Sequence, residues 1–495
     1  MAKMLFIVDA EFNENIGIMC LSSYLKVNGH SVNLAIHSHY KNMEDLLTYI
    51  NQIDPDLIGF SVMTVQADDY QIVTEVIKRR TQRKIIWGGP HCIYMPEVVM
   101  STNDYVDIIC IGEAEDSLLS LMNRIEANED YSDIPGMLIR NNTRGWIKNE
   151  IGYLEQDLDK YPFPDRDLFY DISPILRHFN PKRIITQRGC PFKCSFCCEP
   201  LLKGIYEGKG KLIRSHSTNY IIREMQEVIN RYPTRNIHFG DDTFNINNVQ
   251  LKTLLEKYRD KIGLPFTCNI AANNVTEKLI IQLKDAGCTG VYFGFESGVE
   301  KIRFEILKKR VTNKQYLETA RLLHKYDIDF VTSMMFCLPT ETLNDAIETI
   351  RFNNRLRPTG SREFYLKMYK GTLLGDYALS RNLSVATGKY EYQTKDDADE
   401  HYYVRKIPIN GLGLLFLKFP FLIRFAKPII MSRLDKTLAW LKLPLLLLSY
   451  YSMKSFFRMS IWNIWNWRYF FASRKYFFRK RWNITSDFVS ETKYR

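Results

Sequence analysis

Short apolar runs alternate with helix-length segments along the first 111 residues. The runs cover residues 4–8, 32–35, 57–61, 85–87 and 108–111, and helix-length segments lie between them, for example residues 16–27, 43–53 and 67–80. Apolar runs of this length, bounded by turn-forming residues, are typical of buried strands. The alternation predicts an α/β fold, a doubly wound, Rossmann-like parallel sheet with helices on both faces. Ligands of such sheets bind outside the carboxyl ends of the strands.

A second series of alternating strands and helices occupies the middle of the chain. Its apolar runs cover residues 184–186, 236–239, 266–270, 290–293, 330–335 and 363–368. This pattern predicts a partial (β/α)6 barrel of TIM type, with the active site at the carboxyl ends of the strands.

The two series are separated by a region of turns and prolines. Residues 137–140 and 146–150 flank a turn and predict a hairpin, and residues 161–164 (YPFP) predict an extended linker. The chain therefore divides into a Rossmann-like domain (1–135), a hairpin and linker (136–180), the barrel (181–385) and a basic, aromatic-rich, mostly helical C-terminal region (386–495). A chain of 495 residues exceeds the size at which a single core stops growing, so several domains are expected.

Three cysteines follow the first predicted barrel strand. Cys190, Cys194 and Cys197 form a C-x3-C-x2-C pattern, which supplies three thiolates and not four. A structural zinc site needs a closed set of four ligands, whereas iron–sulfur clusters are held by thiolates and can leave one iron without a protein ligand. Cys198 directly follows Cys197 and would have to double back to reach the same metal, so we leave it out. The alternatives are a redox-inert loop and an incomplete zinc knuckle.

Small and polar residues lie at the carboxyl ends of the predicted strands in both halves. In the first half they are Ser61, Thr64, Gly88, Gly89, Pro90, His91, Gly112 and Glu113. In the second half they are Gly240, Asp241, Asp242, Glu296, Ser297 and Pro339. Glycine lets the backbone approach a ligand, and a carboxylate accepts hydrogen bonds from an ammonium or from ribose hydroxyls. Both sets are candidate ligand-binding surfaces, although ordinary turns and helix caps use the same residue types.

The cysteine stretch resembles the radical S-adenosylmethionine (SAM) superfamily, in which this spacing lies in the loop after the first barrel strand. The resemblance implies that Cys190, Cys194 and Cys197 hold a [4Fe-4S] cluster and that SAM binds the open iron. It further implies reductive cleavage of SAM to a 5′-deoxyadenosyl radical. The electron would come from an external donor of the flavodoxin or ferredoxin type.

Three barrel segments are similar to the SAM-binding motifs of that superfamily. GDDTF (240–244) stands where the superfamily has a glycine-rich motif for the SAM amino group, so the resemblance implies that backbone carbonyls bind this group here. GFESG (294–298) matches the motif for the SAM ribose and carboxylate. MFCLPTET (335–342) occupies the segment near adenine, with Cys337 where glycine is common. Cys337 is either a substrate contact or a buried small hydrophobe, and we favour the latter.

The first domain is similar to the cobalamin-binding domains that precede many radical SAM domains. The matching segments are NGH (28–30), GFSVMT (59–64), WGGPH (87–91) and IGEAED (111–116). Cobalamin proteins that supply a lower axial histidine carry D-x-H-x-x-G after the first strand, whereas this chain has DAEFNE at residues 9–14. The resemblance therefore implies cobalamin held by the SVMT and GGPH loops without a protein imidazole ligand.

Cysteine usage and charge limit where the protein acts. The ten cysteines lack the dense pairing of a secreted disulfide scaffold, which favours a reducing cytosol. Residues 401–495 carry 18 Lys and Arg against 3 Asp and Glu, so the basic charge lies at one end of the chain. The same region holds five of the seven tryptophans and several leucine-rich runs, each too short to span a membrane.

This C-terminal composition favours contact with an anionic membrane surface. A helix with Trp, Phe and Leu on one side and Lys and Arg on the other lies in the membrane interface. The alternative is a helical cap packed on the barrel. The leucine-rich runs disfavour a nucleic-acid partner, which would need only the basic and aromatic residues. We therefore expect a cytoplasmic protein, peripheral at the inner face of the membrane if this region binds lipid.

Together these features identify the chain as a member of the cobalamin-binding radical SAM enzymes. The resemblance implies methylation of an unactivated carbon in a small-molecule or lipid-like substrate that is hydrophobic or membrane-associated, through a 5′-deoxyadenosyl radical and methylcobalamin. The same cofactors support cyclisation, rearrangement and oxidation, which stay open. A non-catalytic cobalamin-binding module is a further alternative, as is an RNA methylthiotransferase, for which Cys20, Cys92 and Cys110 do not share the required loop. The sequence assigns no catalytic residue.

Overall fold

The computed structural model describes residues 1–9, 14–141, 145–366, 368–369, 371–381, 384–386 and 391–394. Two regions that bear on the sequence predictions lie outside the described residues: residues 10–13, where the sequence lacks the axial histidine of other cobalamin proteins, and the C-terminal region 401–495. Across the described part of the chain, we find no helix with both the length and the apolar character needed to cross a membrane.

The first sheet has seven strands in the order β2-β1-β3-β4-β5-β6-β7. Its strands are β1 (Lys3–Val8), β2 (Ser31–Ile36), β3 (Leu57–Ser61), β4 (Lys84–Gly88), β5 (Ile108–Cys110), β6 (Met137–Arg140) and β7 (Trp146–Lys148). Strands β1 to β5 are parallel, and β6 and β7 are antiparallel. The predicted hairpin, β6 and β7, thus forms the edge of this sheet.

Helices cover both faces of the first sheet, as the alternation predicted. They are α1 (Ile16–Val27), α2 (Met43–Ile53), α3 (Ala67–Thr81), α4 (Pro90–Tyr94), α5 (Pro96–Thr102) and α6 (Glu115–Ala127). Along β1, Phe6 packs in the core cluster that contains α1 and α6, whereas Leu5 and Ile7 pack in the cluster that contains α2 and α3. Successive side chains of a strand point to opposite faces, so a strand buried on both faces must be apolar throughout.

A short connection leads to the barrel through α7 (Asp167–Tyr170) and α8 (Pro174–His178). The barrel sheet has six parallel strands in the order β15-β14-β13-β12-β11-β8. They are β8 (Lys182–Ile184), β11 (Ile237–Phe239), β12 (Phe266–Asn269), β13 (Cys288–Glu296), β14 (Asp329–Phe336) and β15 (Gly360–Tyr365). The edge strands β8 and β15 do not pair with each other among the described residues, so the barrel is open.

The remaining barrel elements are helices and short strands. The helices are α9 (Glu199–Ile205), α10 (Thr218–Arg231), α11 (Asn248–Lys261), α12 (Glu277–Asp285), α13 (Asn313–Lys325), α14 (Leu343–Leu356) and α15 (Leu373–Ser380). The short strands are β9 (Gln187–Arg188), β10 (Arg214–Ser215), β16 (Met368–Tyr369), β17 (Ser384–Ala386) and β18 (Glu391–Thr394). Side-chain caps explain where several helices begin: Asn15, Asn42, Ser217, Asn247, Thr276, Thr312 and Thr342 each accept a hydrogen bond from the first helical turn.

The first barrel strand lies two residues earlier than the apolar run predicts. Residues 184–186 were expected, and the strand covers Lys182–Ile184. The backbone N–H of Thr186 donates to the Asp241 carboxylate (2.7 Å), as does that of Gln187 (3.0 Å). These bonds turn the chain out of the sheet before the predicted end of the strand.

Candidate active site between the two sheets

One cavity of about 830 Å³ opens between the first sheet and the barrel. Its volume lies within the range of small-molecule and cofactor sites, about 300–1,000 Å³. The first domain contributes Ser61, Gly88, Gly89, Pro90, Gly112 and Glu113 to the lining, and the barrel contributes Arg183, Ile185 and Arg188. The carboxyl ends of the first-sheet strands and the segment that leads from β8 to the cysteine loop therefore face a common space.

Two glycines on the first-domain side of the cavity allow close contacts, Gly89 with the loop after β3 and Gly112 with Tyr206 after α9. Gly89 has a φ angle of +91°, and a Cβ atom there would lie 2.9 Å from the Val62 backbone nitrogen. Gly112 has a φ angle of +84°, and a Cβ atom there would overlap the Tyr206 hydroxyl. Both glycines line the cavity, so at these two positions the backbone itself would face a broad corrinoid ring.

Two of the predicted cobalamin contacts lie behind this wall of the cavity. His91 is fully buried, and its Nδ1 atom lies 3.2 Å from the Thr64 hydroxyl. The backbone N–H of His91 donates to the carbonyl oxygen of Val62 (3.0 Å). Neither His91 nor Thr64 lines the cavity. They connect the loop after β3 to helix α4 and so support the wall from behind.

Glu113 joins the first domain to the barrel. Its carboxylate accepts hydrogen bonds from Arg188 (2.8 Å) and Arg214 (3.2 Å). Arg188 also donates to Glu115 (2.6 Å), so one guanidinium pairs with two carboxylates of the first domain. Glu113 lines the cavity, but its charge is already neutralised by barrel residues. Arg188 and Arg214 had no role in our sequence predictions.

The three cysteines lie on the loop between β9 and α9. Contacts from outside the loop hold its backbone: Ser195 donates from its N–H to Leu307 (3.0 Å) and from its hydroxyl to Ile306 (2.7 Å). The Cys190 N–H donates to the Glu199 carboxylate (2.9 Å). Burial and the neighbouring Asp242 raise the pKa of Glu199 to about 7.

The three cysteine thiols of this loop lie close enough to influence one another electrostatically. Burial raises the pKa of the Cys194 thiol to about 11; Lys309 opposes this shift, and the nearby Cys197 and Cys190 add to it. The three half-buried thiols therefore share one electrostatic environment. No three His, Cys, Asp or Glu side chains of the described residues gather as ligands of a single metal ion. A four-iron cluster does not require that arrangement, because each thiolate binds a different iron.

Beside the cysteines, Glu296 at the end of β13 pairs with Lys309, a residue that the sequence predictions missed. The Lys309 ammonium lies 3.0 Å from the Glu296 carboxylate. Burial alone would lower the pKa of Lys309, but the Glu296 carboxylate outweighs it and raises that pKa. Glu296 has a φ angle of +64°, a conformation uncommon outside glycine. A carboxylate and an ammonium of fixed position thus lie near Cys194.

Other predicted SAM residues make internal contacts. Asp241 is buried, and its carboxylate accepts hydrogen bonds from the backbone of Thr186 and Gln187, so it shapes the start of the cluster loop. Asp242 is exposed at the barrel mouth. Neither caps α11, whose cap is Asn247. At the end of β13, Ser297 is fully buried, and its hydroxyl accepts from the Val299 N–H (3.2 Å).

The turn after β14 explains why glycine is common at the position that Cys337 occupies. Cys337 is buried, as we favoured, and has a φ angle of +60°, which is the conformation that glycine adopts most easily. Pro339 is also buried in this turn. Glu341 accepts a hydrogen bond from the Leu338 N–H (3.2 Å), and its Oε1 atom has no hydrogen-bond partner among the described residues.

The fold defines a class of protein, in which a doubly wound sheet is followed by an open barrel with a three-cysteine loop, and a cavity lies between the two. Family models match the same two regions, "B12 binding domain" over residues 3–122 and "Radical SAM superfamily" over residues 184–352. The chain belongs to the cobalamin-binding radical SAM enzymes. Its cofactors are accordingly a [4Fe-4S] cluster, SAM and cobalamin, as the sequence resemblance implied.

Individual relatives agree with this assignment. An uncharacterised methyltransferase of Pyrococcus horikoshii is 28% identical over 361 residues, which are 71% of this chain and 75% of that protein. Cytidylyl-2-hydroxyethylphosphonate methyltransferase of Streptomyces wedmorensis is 22% identical over 316 residues, 57% of each chain. The solved structure of the radical SAM methyltransferase TsrM of Kitasatospora setae superposes with a TM-score of 0.66 at 18% identity, over 78% of both chains, and shows the same fold.

Proposed function

We propose that the protein transfers a methyl group to a carbon atom of a small-molecule substrate bound in the cavity between the two sheets. One observation carries this proposal: the glycine-rich ends of the first-sheet strands and the segment that leads from β8 to the cysteine loop (Arg183, Ile185 and Arg188) line the same cavity of about 830 Å³. When bound, the cluster with SAM supplies a hydrogen-abstracting radical, and cobalamin supplies the methyl group. The names of the Pyrococcus and Streptomyces relatives support methyl transfer over other radical chemistry.

In this proposal the chain's own residues keep the two cofactor sites facing each other. Ser61, Gly88, Gly89, Pro90 and Gly112 would contact cobalamin, and Thr64 and His91 would support them from behind. Cys190, Cys194 and Cys197 would hold the cluster. Glu296, oriented by Lys309, would bind SAM, and Pro339 would lie near its adenine. The ion pairs of Glu113 with Arg188 and Arg214 would keep the two halves in register.

The test is an assay of anaerobically reconstituted protein with a reductant, cobalamin and SAM that carries a deuterated methyl group. We expect 5′-deoxyadenosine to form and a deuterated methyl group to appear in one component of a cell extract, detected by mass spectrometry. 5′-Deoxyadenosine without any labelled product would favour cyclisation or oxidation. Absence of both would contradict catalysis.

We propose further that the substrate is hydrophobic or membrane-associated and that residues 401–495 bring the enzyme to anionic lipid. The excess of Lys and Arg in that region and its five tryptophans support this proposal. In a flotation assay, the full chain should bind phosphatidylglycerol vesicles and not phosphatidylcholine vesicles. A variant with Arg479, Lys480 and Arg481 changed to Gln should bind more weakly. Equal flotation with both vesicles, or displacement by RNA, would contradict the proposal.

A further inference from the structure

Two guanidinium groups on the inner face of the barrel have no role in the function described so far. Arg183 lies on β8 and Arg362 on β15, the two edge strands of the barrel sheet. Both side chains are exposed, and Arg183 lines the cavity. Arg183 donates a hydrogen bond to the Gly240 carbonyl oxygen (3.3 Å), and its charge opposes the burial that raises the pKa of the nearby Asp242. Neither guanidinium lies within 4 Å of a carboxylate of the described residues, so both guanidiniums can bind a further anionic group.

Strand alternation places both groups on the inner face. On β11, Ile237 and Phe239 pack in the helical core, so His238 between them points to the interior. On β15, the Ser361 hydroxyl accepts a hydrogen bond from Asn353 of α14 (2.8 Å), so its neighbour Arg362 points away from the helices. In the β8–β11 register, Arg183 lies opposite His238 and shares its orientation.

Two aromatic rings connect the arginines across the interior. The His238 and Tyr292 rings make an edge-to-face contact with centroids 5.6 Å apart, and the Arg362 guanidinium lies 4.9 Å from the centre of the Tyr292 ring. Burial, and then the charges of Arg183 and Arg362, lower the pKa of His238 to about 4, so His238 is neutral at pH 7. The two guanidiniums therefore carry the positive charge of this surface, which we call the arginine face (Arg183, His238, Tyr292 and Arg362).

From this arrangement we infer that the arginine face binds an anionic group of the substrate, a phosphate, phosphonate or carboxylate. A guanidinium stacked on an aromatic ring keeps its N–H edge free for two parallel hydrogen bonds to such a group. Phe364, two residues beyond Arg362 on the same strand face, is 49% exposed and offers an apolar contact. The substrate is thus an amphipathic acid with its anionic group at the barrel wall. This inference rests on the proposed function in placing the substrate here.

Binding of simple probes to the reconstituted holoprotein tests the inference without turnover. Decyl phosphate, decanoate and decanol share an apolar chain and differ in the head group, so calorimetric titration with each separates charge from hydrophobicity. We expect one of the two anions to bind and decanol not to bind. Arg362→Gln and Arg183→Gln should each weaken binding of that anion about tenfold, the effect of losing a charged hydrogen-bonded pair.

Arg355→Gln is the matched control, because Arg355 also stacks on an aromatic ring, Phe352 at 5.1 Å, but is exposed on α14 outside the barrel. Its anion affinity should equal that of the wild type. Binding of decanol as tight as that of the anions, or an equal loss in Arg355→Gln, would overturn the inference. A weaker Kd for SAM in Arg362→Gln would also overturn it, since the arginines would then serve the SAM carboxylate. Anion binding is measured apart from methyl transfer. A negative result in the binding experiment therefore does not bear on the proposed methyl transfer, and a negative result in the transfer assay does not bear on anion binding.

Discussion

The carboxyl ends of the two sheets are built in opposite ways. At the end of the first sheet, Gly89 and Gly112 adopt positive φ angles, and any side chain there would meet neighbouring atoms. At the end of the barrel, buried charged groups are held in pairs, such as Glu296 with Lys309. The first end contains positions that must lack a side chain, and the second orients polar groups. Substitutions should therefore act sterically at one end and electrostatically at the other.

The largest effect should come from Cys194→Ala, which removes one thiolate from the barrel end. We expect complete loss of 5′-deoxyadenosine formation and of bound iron, because two thiolates cannot hold the cluster. Cobalamin binding at the other end should persist, since Cys194 does not line the shared cavity. Iron analysis and cobalamin absorbance measure the two separately. Cys198→Ala is the control and should keep its iron; loss of iron there would make Cys198 a ligand.

The next largest effect should come from Arg166, which connects the segment before α1 of the first domain to α10 of the barrel. Its guanidinium is buried and pairs with Glu14 before α1 (3.5 Å) and with Glu224 of α10 (3.0 Å). Arg166→Met would leave two carboxylates buried without their partner, so the free energy of unfolding should fall by about 3–5 kcal/mol. Chemical denaturation measures it.

Arg177 forms an exposed ion pair with Asp171 (3.2 Å), and Arg177→Met provides the comparison. The free energy of unfolding of this control should fall by at most about 1 kcal/mol. Similar losses in both variants would show that the buried pairs do not hold the two halves together.

A smaller effect should distinguish strain from steric fit at the glycine-rich end. Gly89 and Gly29 have φ angles of +91° and +89°, but a Cβ atom at Gly29 would meet nothing within 4 Å. Both changes to Ala should cost about 1–2 kcal/mol of stability through backbone strain, and Gly89→Ala should cost more because its Cβ atom would meet the Val62 backbone. Only Gly89→Ala should also reduce cobalamin retained after gel filtration. Equal cobalamin retention in the two variants would mean that the close packing of Gly89 against the Val62 backbone is not needed for cobalamin binding.

The smallest effect is a pH dependence at the barrel end. Burial raises the pKa of Glu341 to about 8, whereas an unfolded Glu titrates near about 4.3. Between these values the unfolded chain releases the proton first, so stability falls as pH rises and the penalty is complete above about pH 8. From pH 6 to pH 7, the free energy of unfolding of the wild type should fall by about 1 kcal/mol more than that of Glu341→Gln. Glu348→Gln, at a half-exposed carboxylate of α14 that pairs with Arg355 (2.8 Å), should keep the wild-type slope in thermal melts.

Several elements were predictable to within a residue or two. Helices α1 and α2 coincide with the predicted segments 16–27 and 43–53, and β3 coincides with 57–61. Buried parallel strands are continuous apolar runs, which a sequence displays directly. The first barrel strand was misplaced because Asp241, more than 50 residues later, turns the chain after Ile184. No local pattern reveals a bond of that sequence separation.

The sequence by itself determined the family and its cofactors, because the cysteine spacing, the strand-end glycines and the two alternating patterns are local. It did not determine which polar residues face the cavity. The tertiary structure decided that Thr64, His91 and Asp241 make internal contacts and that Lys309 pairs with Glu296. The physical reason is that burial and ion pairing depend on which distant segments pack together, and only the folded chain brings them within bonding distance.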